Sequence, residues 1–393
     1  MKFNPFSQKI GIVGGGQLGK MLIESALPWN VAYNILDPDP TAPASRYASI
    51  FVNGSLTSRD KILELAKDSD ILTYEIEHID VQTLIELKDQ GKVVIPDPDI
   101  LRIIQDKSLQ KSFYAEKHIA TSPFEIFNDE DSLSEALPKI HGDKLVVKSA
   151  KGGYDGKGVW ILTRSEISSS QRGFQLDGSD YVLEAFIPRA REFAVIVARG
   201  MDGETKSYPS CEMVFDPELN LVDYLISPSN ISTEQEEEIE ALALKAVKSL
   251  GGAGLFAVEL FLDEKGFFYV NEIAPRPHNS GHHSIEANST SQYEQLNRIL
   301  LGLPLGETDL RSPVVMMNLL GDSGVTGAYE MRGLDYLMKQ PRAFFHWYNK
   351  AVTKPGRKMG HLTVCADSPD EALKIAQNVR ESLKLVATNK QSN

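Results

Sequence analysis

The chain has 393 residues, 42% of them hydrophobic and 24% charged, and a formal net charge of −13. This length allows two or three domains, and the acidic balance argues against nucleic acid as a partner because binding a phosphate backbone needs a basic face. The two cysteines give no disulfide framework or metal-ligand spacing, and no apolar run is long enough to span a bilayer, so we expect a cytoplasmic protein.

The first hundred residues alternate short apolar strands with helices. The predicted strands span 9–13, 31–36, 70–74 and 93–95, and the predicted helices span 20–26, 59–67 and 81–88. Alternation of this kind predicts a parallel sheet covered by helices, an α/β arrangement. Pro96 and Pro98 then interrupt the pattern, and a helical stretch at 100–116 begins a new part of the chain.

A glycine pattern, Gly14-x-Gly16-x-x-Gly19, joins the first strand to the first helix. With Asp37 about twenty residues further on, it matches the dinucleotide-binding fingerprint. The glycines let backbone N–H groups approach an anion at a helix N-terminus, so any phosphate would fit there. Two other interpretations stay open: glycines that only allow tight packing of strand against helix, and an NAD(P)-dependent oxidoreductase.

A second glycine-rich segment runs from Lys148 to Val159, between strands predicted at 144–148 and 158–161. It lacks the GxxxxGK(S/T) sequence of a Walker A loop, and no helix follows it. Four glycines and three lysines in so short a loop indicate a lid over a nucleoside triphosphate. An ordinary β-hairpin turn is the alternative.

Strands dominate the chain after residue 122. Further predicted strands span 124–127, 181–186, 192–198, 254–261 and 266–270, and a glutamate-rich helix spans 233–250. The strand that ends in Glu184–Ile187 can offer backbone groups to an adenine, and Glu192 shortly beyond it can hold ribose hydroxyls. A mixed tail with an amphipathic helix at 369–383 follows, so we expect three domains, at residues 1–100, 101–305 and 306–393.

Two carboxylates on the last pair of these strands indicate a metal site. Glu259 lies on the first strand, and Asn271 and Glu272 are predicted at the end of the second. Carboxylates that face one cleft repel each other unless a proton or a divalent cation lies between them. Mg²⁺, usually held by one or two carboxylates and substrate phosphates, fits this pair; exposed, solvated acids are the alternative.

The loop that follows, at 275–283, concentrates groups that bind anions. Arg276, His278, Asn279 and Ser280 lie within a few residues of each other, and two prolines stiffen the chain. An ordinary polar loop after a hairpin is the alternative. The histidines of this loop show no zinc spacing with either cysteine, and no Ser/His/Asp or Cys/His arrangement supports acyl-enzyme chemistry.

Taken in order, these motifs resemble the ATP-grasp superfamily and, within it, the 5-(carboxyamino)imidazole ribonucleotide synthases of de novo purine biosynthesis. The resemblance covers essentially the whole chain. The motifs that carry it are GGGQLGKM at 14–21, TYEIEHI at 73–79, GGYDGKG at 152–158, NEIAPRPHNSGH at 271–282, TSQYEQ at 290–295, LGLPLG at 301–306 and GRKMGH at 356–361. It implies a Rossmann-like pre-ATP-grasp domain, a central ATP-grasp domain, a small C-terminal α+β domain and a homodimer.

The resemblance also implies a reaction. ATP phosphorylates bicarbonate to carboxyphosphate, and the exocyclic amine of aminoimidazole ribonucleotide takes up the carboxyl group with release of ADP and phosphate. The implied partners are therefore small molecules, and Mg²⁺ is the implied metal. Phosphorylation is needed because bicarbonate is a poor electrophile until it carries a leaving group, and the protein supplies positioning and charge neutralisation.

The resemblance assigns four sets of residues in this sequence. The implied ATP contacts are Lys107, Lys148, Gly153, Tyr154, Asp155, Gly156, Lys157, Gly158, Val159, Glu184, Ala185, Phe186, Ile187, Glu192, Asn271 and Glu272. The implied metal ligands are Glu259 and Glu272. The implied catalytic residues are Arg276, His278, Asp155 and Lys350. The implied ribonucleotide contacts are Gln17, Leu18, Glu75, Tyr154, Asn279, Ser280, Lys350, Arg357 and Lys358.

The sequence departs from the family at three positions. Met213 and Phe215 stand where relatives have an Asn and a His, which removes one expected nucleotide contact, and Lys107 stands where many relatives have Arg. Formate-dependent glycinamide ribonucleotide transformylases and biotin carboxylases are alternatives within the superfamily, against which NSGHHSIE and GRKMGH argue. A non-catalytic nucleotide sensor is a further alternative, suggested only by Met213 and Phe215.

Overall fold

A five-stranded parallel sheet forms the N-terminal part of the protein in a computed structural model that describes residues 4–153, 158–169, 172–216 and 221–388. Its strands are β1 (Lys9–Val13), β2 (Ala32–Asp37), β3 (Ile50–Asn53), β4 (Ile71–Tyr74) and β5 (Val93–Val94). They lie in the order β3-β2-β1-β4-β5, and the connecting helices are α1 (Gln17–Ser25), α2 (Arg59–Lys67) and α3 (Val81–Asp89). The predicted α/β sheet is confirmed. The sequence prediction omits β3, a short strand in which only Val52 is buried.

The single helix predicted at 100–116 is wrong, because the structure has two helices, α4 (Pro98–Ile104) and α5 (Lys107–Glu116). The break falls at Asp106, whose carboxylate accepts hydrogen bonds from the backbone N–H groups of Ser108 (3.0 Å) and Leu109 (3.3 Å). Aspartate is a favoured helix N-cap because it satisfies N–H groups that have no partner within the helix. The cap places Lys107 in the first turn of α5.

A four-stranded antiparallel sheet follows. Its strands and helices are β6 (Phe124–Phe127), α6 (Glu130–Ala136), β7 (Lys144–Ser149), β8 (Val159–Thr163), α7 (Arg164–Ile167) and β9 (Tyr181–Ala185). The strand order is β6-β9-β7-β8, so β9 pairs with β6 on one side and β7 on the other. Buried side chains such as Leu145, Val147 and Leu183 form its core.

The largest sheet is antiparallel and has nine strands. The remaining strands of the chain are β10 (Arg191–Arg199), β11 (Thr205–Ser207), β12 (Cys211–Asp216), β13 (Leu221–Ser227), β14 (Gly254–Leu262), β15 (Phe268–Ala274), β16 (Val314–Leu320), β17 (Tyr329–Arg332), β18 (Ala343–Trp347), β19 (Lys358–Cys365) and β20 (Lys384–Ala387). The order is β15-β14-β10-β12-β13-β16-β19-β18, with β11 beside β10, whereas β17 and β20 form a separate pair. Because β13 pairs with β16, hydrogen bonding is continuous across the boundary predicted at residue 306. The division into three domains stays a prediction.

The helices of the second half cover these sheets. They are α8 (Thr233–Leu250), α9 (Ser284–Ala287), α10 (Gln292–Leu300), α11 (Leu334–Leu337) and α12 (Pro369–Ser382). Helix α8 matches its predicted bounds, and its buried residues, including Ile239 and Val247, pack in one core with strands β10, β14 and β15. No helix in the described ranges is both long and apolar enough to cross a bilayer.

Helix α10 joins the N-terminal sheet to the rest of the molecule. Asn297 accepts a hydrogen bond from the Tyr33 hydroxyl (2.6 Å) and donates to the Leu22 carbonyl (2.8 Å) and to Ser25 Oγ (2.9 Å). Asn297 is buried, and Tyr33 and Leu22 pack with Tyr293 and Leu296 in one core cluster. This contact fixes α1, and the glycine turn before it, relative to the segment that follows β15.

Candidate active site

Three carboxylates lie on one face of adjacent strands of the large sheet. Glu259 on β14 pairs directly with Glu272 on β15, and its other neighbour across the sheet is Ala194, two residues after Glu192 on β10. Residues that pair directly, or that are two apart on one strand, share a face of the sheet. Glu192, Glu259 and Glu272 therefore face the same cleft, as predicted for the last two.

Asn271 and Glu272 lie within β15, so their predicted place at the end of the strand is wrong. The register shifts between Glu259 and Leu260: Glu259 pairs with Glu272, and Leu260 pairs with Val270. Asn271 is thus the extra residue of a β-bulge, a feature that redirects side chains and lets a strand continue. Its Oδ1 accepts a hydrogen bond from Lys148 Nζ at 2.9 Å.

The charges of the three acids are unequal. The Lys107 ammonium, 2.6 Å from Glu272 Oε2, holds the pKa of Glu272 below its ordinary value. Burial raises the pKa of Glu259, and the neighbouring Glu272 and Glu192 raise it further. Burial also raises the pKa of Glu192 to about 7. Glu272 is therefore ionised, whereas Glu192 and Glu259 favour protonation because like charges lie close together in a partly desolvated cleft.

This donor set fits a divalent cation. Two carboxylates, one largely buried at Glu259 and one partly exposed at Glu272, pair directly across β14 and β15, and the raised pKa of Glu259 reflects the repulsion that a cation would relieve. Within the described residues no group of three or more His, Cys, Asp or Glu side chains could enclose a metal. A magnesium ion here would therefore complete its coordination with substrate oxygens and water, as this ion usually does.

A buried carboxylate lies between two lysines at the neighbouring sheet. Glu184 on β9 is 3% exposed; its Oε2 is 2.8 Å from Lys111 Nζ, and its Oε1 is 3.0 Å from Lys148 Nζ. The two ammonium charges outweigh the effect of burial and hold the pKa of Glu184 well below its ordinary value. Sequence reasoning missed Lys111. Its spacing of four from Lys107, which puts both lysines on one face of α5, is the signal that could have found it.

Only part of the stretch Glu184–Ile187, which is predicted to contact a nucleotide, is available for such a contact. The Glu184 carboxylate is occupied by the two lysines, and the Ala185 N–H donates to the Pro123 carbonyl at 2.9 Å. Phe186 and Ile187 lie beyond the end of β9. The backbone of these last two residues is therefore the part of the stretch best placed to contact an adenine, and that role stays a prediction.

The loop after β15 places an arginine beside several acids. Arg276 Nε lies 2.8 Å from Glu77 Oε1, an acid that follows β4 and that sequence reasoning missed. Glu75 and Glu259 also contribute to raising the pKa of Arg276 against the effect of burial. A buried guanidinium that is always charged can therefore hold an anion between the N-terminal sheet and the acids of β14 and β15.

His278 is neutral. Burial, the largest effect, and the charges of Arg276 and Lys358 together lower its pKa to about 3. Nδ1 accepts a hydrogen bond from the Ser280 N–H (3.3 Å), so the proton is on Nε2, which faces Glu259 Oε1 at 3.3 Å. This imidazole can orient an oxygen by hydrogen bonding but carries no charge at neutral pH.

Neighbouring amides hold the His278 loop in place. Gln292 accepts from the His278 N–H (3.0 Å) and donates to the His278 carbonyl (2.8 Å). Asn279, a predicted substrate contact, is buried and exchanges two hydrogen bonds (2.8 and 2.9 Å) with Asn318 on β16. Asn279 is thus engaged within the protein, and Gln292 and Asn318 are supporting residues that the sequence analysis did not identify.

The glycine turn is built around Glu75. The N–H groups of Gly16 and Gly19 donate to its two carboxylate oxygens, and a Cβ at Gly14, where φ is +106°, would lie 2.5 Å from Glu75 Cγ. Asp37 accepts from the Gly15 N–H and from the Asp39 N–H, at 2.8 Å each, and so helps to hold the turn.

Two N–H groups of the same turn point to an anion site. Gln17 and Leu18 begin α1, and in the described part of the chain their N–H groups have no acceptor. First-turn N–H groups bind anions readily because the helix dipole favours negative charge there. The predicted phosphate contacts at Gln17 and Leu18 are therefore geometrically available.

The basic segment of the C-terminal part approaches the site from the other side. Lys350 Nζ donates to the Lys358 carbonyl (2.8 Å) and lies 5.5 Å from the centre of the Tyr348 ring. Lys358 is close enough to contribute to lowering the pKa of His278, and Arg357 to lowering that of Asp39. The predicted cations thus lie between the His278 loop and the N-terminal sheet.

Some predicted residues lie outside the described ranges or on their edge. Tyr154, Asp155, Gly156 and Lys157 fall outside the described residues. Beside them, the Gly158 carbonyl accepts from the Ser149 N–H (2.8 Å), Val159 pairs with Lys148, and Gly153 precedes the gap.

The two departures from the family lie on β12. Met213 pairs directly with Glu192 and is buried, and Phe215, two residues further along β12, lies on the same face. Apolar side chains therefore line the cleft next to Glu192, where a histidine would have offered a hydrogen bond to a nucleotide.

Comparisons with known proteins agree with this architecture. Models of three families match: the ribonucleotide synthetase preATP-grasp domain at residues 7–105, the ATP-grasp domain at 112–293, and the phosphoribosylaminoimidazole carboxylase C-terminal domain at 314–375. The N5-carboxyaminoimidazole ribonucleotide synthase of Bacillus subtilis is 35% identical, with 92% of each chain covered. The phosphoribosylaminoimidazole carboxylase of Ogataea methanolica is 37% identical, and the match covers 92% of this chain but 67% of that protein.

Solved structures are similar over almost the whole chain. The N5-carboxyaminoimidazole ribonucleotide synthetase of Thermotoga maritima has a TM-score of 0.86 and 38% identity, with 97% of this chain and 100% of that chain covered. An Aspergillus clavatus synthase in complex with ADP and 5-aminoimidazole ribonucleotide has a TM-score of 0.85 and 32% identity, with 96% and 99% covered.

Proposed function

Because the chain belongs to the N5-carboxyaminoimidazole ribonucleotide synthase family of ATP-grasp ligases, we propose that it carboxylates 5-aminoimidazole ribonucleotide with ATP and bicarbonate in purine biosynthesis. The observation that carries this proposal is the arrangement of one cleft. Two paired carboxylates, Glu259 and Glu272, lie beside Lys107 and next to the Arg276 loop. Such a cleft suits the joining of a nucleoside triphosphate to a small anion.

The reaction has two bond exchanges. A bicarbonate oxygen attacks the γ-phosphorus of ATP, a new P–O bond forms, and the bond to ADP breaks. The exocyclic amine of the ribonucleotide then forms a bond to the carboxyl carbon, phosphate leaves with the bridging oxygen, and the nitrogen loses a proton. In both steps anionic phosphate and carboxylate oxygens come close together in the transition state, so neighbouring cations lower the barrier.

The nucleotide phosphates are assigned to the cations at the junction of the two antiparallel sheets. Lys148 would reach the phosphates from β7, and Lys107 from the start of α5. Glu259 and Glu272 would hold Mg²⁺, which when bound neutralises phosphate oxygens. Glu192 would accept hydrogen bonds from the ribose, and the lid residues Gly153–Val159 would cover the phosphates.

Bicarbonate is assigned to Arg276 and His278. The guanidinium supplies the positive charge, because His278 is neutral and contributes a hydrogen bond from a fixed tautomer. Both residues are held close to Glu259, so the nucleophilic oxygen would lie near the metal carboxylates. Ser280, bonded to His278 Nδ1, fixes the ring.

The ribonucleotide is assigned to the gap between the glycine turn and the C-terminal basic segment. Its phosphate would accept hydrogen bonds from the N–H groups of Gln17 and Leu18. The side chains of Lys350, Arg357 and Lys358 would neutralise its negative charge. Glu75, held by the turn beside these N–H groups, would face the aminoimidazole together with Tyr154 and Asp155. The amine would then approach the carboxyl group held by Arg276.

A homodimer and a cytoplasmic location complete the proposal. Both follow from the resemblance to the family and not from a feature of the described residues. Light scattering coupled to size-exclusion chromatography tests the first: a mass of twice 43.5 kDa is expected, and a mass of 43.5 kDa would reject the dimer.

The proposed activity is tested by ADP release from ATP, Mg²⁺ and bicarbonate, with and without aminoimidazole ribonucleotide. Strong stimulation by the ribonucleotide is expected, because the amine consumes the activated carboxyl group. A folded protein that binds ATP but shows no stimulation by the ribonucleotide would redirect the proposal to another ATP-grasp substrate or to a nucleotide sensor.

A further inference from the structure

We propose that Lys111 is a positioning residue of the nucleotide cleft, which acts through Glu184 to hold the Lys148 ammonium in place. This inference rests on the proposed function, because it assumes that Lys148 binds nucleotide phosphates. Lys111 itself lies beneath the cleft and is not assigned any substrate contact.

The Lys111 ammonium is fully engaged. The residue is 2% exposed, and its Nζ donates to Thr121 Oγ1 (2.7 Å), Ser122 Oγ (3.1 Å) and Glu184 Oε2 (2.8 Å). An ammonium has three N–H donors, so these three partners satisfy it completely. A buried charge is tolerated only when it is paired and hydrogen-bonded, and this one meets both conditions.

The Glu184 carboxylate is shared between two lysines. Its Oε2 forms an ion pair with Lys111, and its Oε1 forms an ion pair with Lys148. Lys148 also donates a hydrogen bond to Asn271. If Lys111 lost its charge, Lys148 would be the remaining cation paired with the Glu184 carboxylate and would be attracted to it more strongly. Lys148 would then be drawn toward β9 and away from phosphates in the cleft.

The same network ties the two antiparallel sheets together. Thr121 Oγ1, which accepts from Lys111, donates to the Val270 carbonyl on β15 at 2.7 Å. Val270 N–H donates in turn to the Ala120 carbonyl at 2.8 Å. Val270 directly precedes the bulge at Asn271, so Lys111 links β9 to the strand that carries Asn271 and Glu272.

The surroundings of Lys111 also predict a dependence on pH. The charged groups that face it are Glu184 on β9, Lys148 on β7 and Lys107 on its own helix. Burial is the largest effect and lowers the pKa of Lys111 to about 8, so the ammonium is lost as the pH rises through that value. Nucleotide affinity should therefore fall between about pH 7 and about pH 9, and arginine, which stays charged, should remove this fall.

The test compares Lys111→Met, Lys111→Arg and the double variant Lys111→Met/Glu184→Gln. The matched control is Lys88→Met, since Lys88 also bridges two carboxylates, Asp97 and Asp99, at 2.8 Å each but lies on α3, outside the cleft. Binding of ADP with Mg²⁺ is measured by calorimetry at about pH 7 and about pH 9, and folding is followed by the melting temperature.

We expect Lys111→Met to bind ADP about tenfold more weakly than the wild type at neutral pH. The double variant should recover part of that loss, because the unbalanced carboxylate no longer draws Lys148 away and Asn271 still accepts a hydrogen bond from Lys148. Lys88→Met should bind as the wild type does. Lys111→Arg should keep its affinity at the higher pH.

Three results would overturn the inference. They are wild-type affinity in Lys111→Met with a lowered melting temperature, no recovery in the double variant, and the same response of affinity to pH in the wild type and in Lys111→Arg. The last needs only the variant that keeps the charge, so it decides the matter even if Lys111→Met does not fold. Absence of ADP binding in the wild type would instead overturn the proposed function, and this inference with it.

Discussion

At the scale of single residues, the cleft contains three neighbouring carboxylates, and only one of them is paired with Lys107. Glu192, Glu259 and Glu272 share one face of the large sheet, and Lys107 contacts only the last of them. Like charges in a buried place raise each other's pKa and favour a cation between them. The site is therefore poised for a divalent metal with a bound nucleotide, at a cost to the stability of the protein without ligands.

Glu272→Gln should abolish turnover while leaving the protein folded. The change removes a metal carboxylate and the partner of Lys107 but keeps the shape of the side chain, so we expect ADP formation to fall about 100-fold or more. The control is Glu264→Gln on the same hairpin, where the acid is exposed and pairs with Arg189. Turnover of Glu272→Gln close to that of the control would contradict the metal assignment.

Glu192→Gln should make the ligand-free protein more stable at alkaline pH. Burial raises the pKa of Glu192 to about 7, so in the folded state the carboxyl keeps its proton where the unfolded chain has lost it. Such a group contributes stability at low pH, and this contribution is lost as the pH rises through about 7.

The difference is measured by urea unfolding of wild type and Glu192→Gln. We expect the variant to be more stable by roughly 2 kcal/mol at about pH 8, after allowance for solvent screening, and the gap to shrink at about pH 5. A gap that is constant with pH would show that Glu192 titrates at its ordinary value.

The sequence predicts the residues of this site better than their contacts. Glu259 and Glu272 lie together as predicted because strand pairing brings them to one face, and Arg276 and His278 of the following loop lie close to Glu259. The neutral state of His278 and the pairing of Glu184 with Lys111 depend on burial and on groups distant in sequence. Such properties arise from tertiary packing, which local patterns do not contain.

At the scale of elements, helix termini and strand bulges place the functional groups. The Asp106 cap separates α4 from α5 and puts Lys107 opposite Glu272, and the bulge at Asn271 turns that amide toward Lys148. The sequence pattern suggested one helix at 100–116 because apolar residues recur through the break. An aspartate followed by lysine and serine signals an N-cap, but such signals are common within helices as well.

Asp106→Ala should weaken both the helix and the nucleotide site. Loss of the cap is expected to cost about 1 kcal/mol of stability, and Asp129→Ala, which removes the cap of α6, should cost a similar amount. Only Asp106→Ala should raise the KM for ATP, because only α5 carries Lys107. Equal effects of the two changes on the KM for ATP would reject a role for the α5 cap in positioning Lys107.

At the scale of the whole molecule, the site lies where the N-terminal sheet, the two antiparallel sheets and the C-terminal segment meet. The sequence predicts the parallel sheet and most strands of the central part, since alternation of strand and helix and strong apolar runs are local signals. It predicts neither the order of the nine-stranded sheet nor the pairing of β13 with β16. Those contacts join residues far apart in the chain, and no periodicity encodes them.

Asn297→Ala should loosen the N-terminal sheet from the rest of the protein. The variant loses the contacts to Tyr33, Leu22 and Ser25, so we expect a loss of about 2 kcal/mol of stability. Tyr33→Phe removes only one of them and should cost about 1 kcal/mol.

The KM values of Asn297→Ala distinguish a specific effect on the ribonucleotide site from a general loss of stability. The glycine turn that begins α1 is assigned to the ribonucleotide phosphate, so Asn297→Ala should raise the KM for aminoimidazole ribonucleotide more than that for ATP. Equal changes in both KM values would contradict a link between α10 and the ribonucleotide site.

The most direct test of carboxylation through an activated bicarbonate follows the atoms of bicarbonate labelled with ¹³C and ¹⁸O during turnover with ATP, Mg²⁺ and aminoimidazole ribonucleotide. We predict that the ¹³C appears in a carboxylated ribonucleotide, detected by NMR, and that one ¹⁸O appears in the released phosphate, detected by its mass. Phosphate that carries oxygen only from water, with no labelled ribonucleotide, would contradict the proposed carboxylation through an activated bicarbonate.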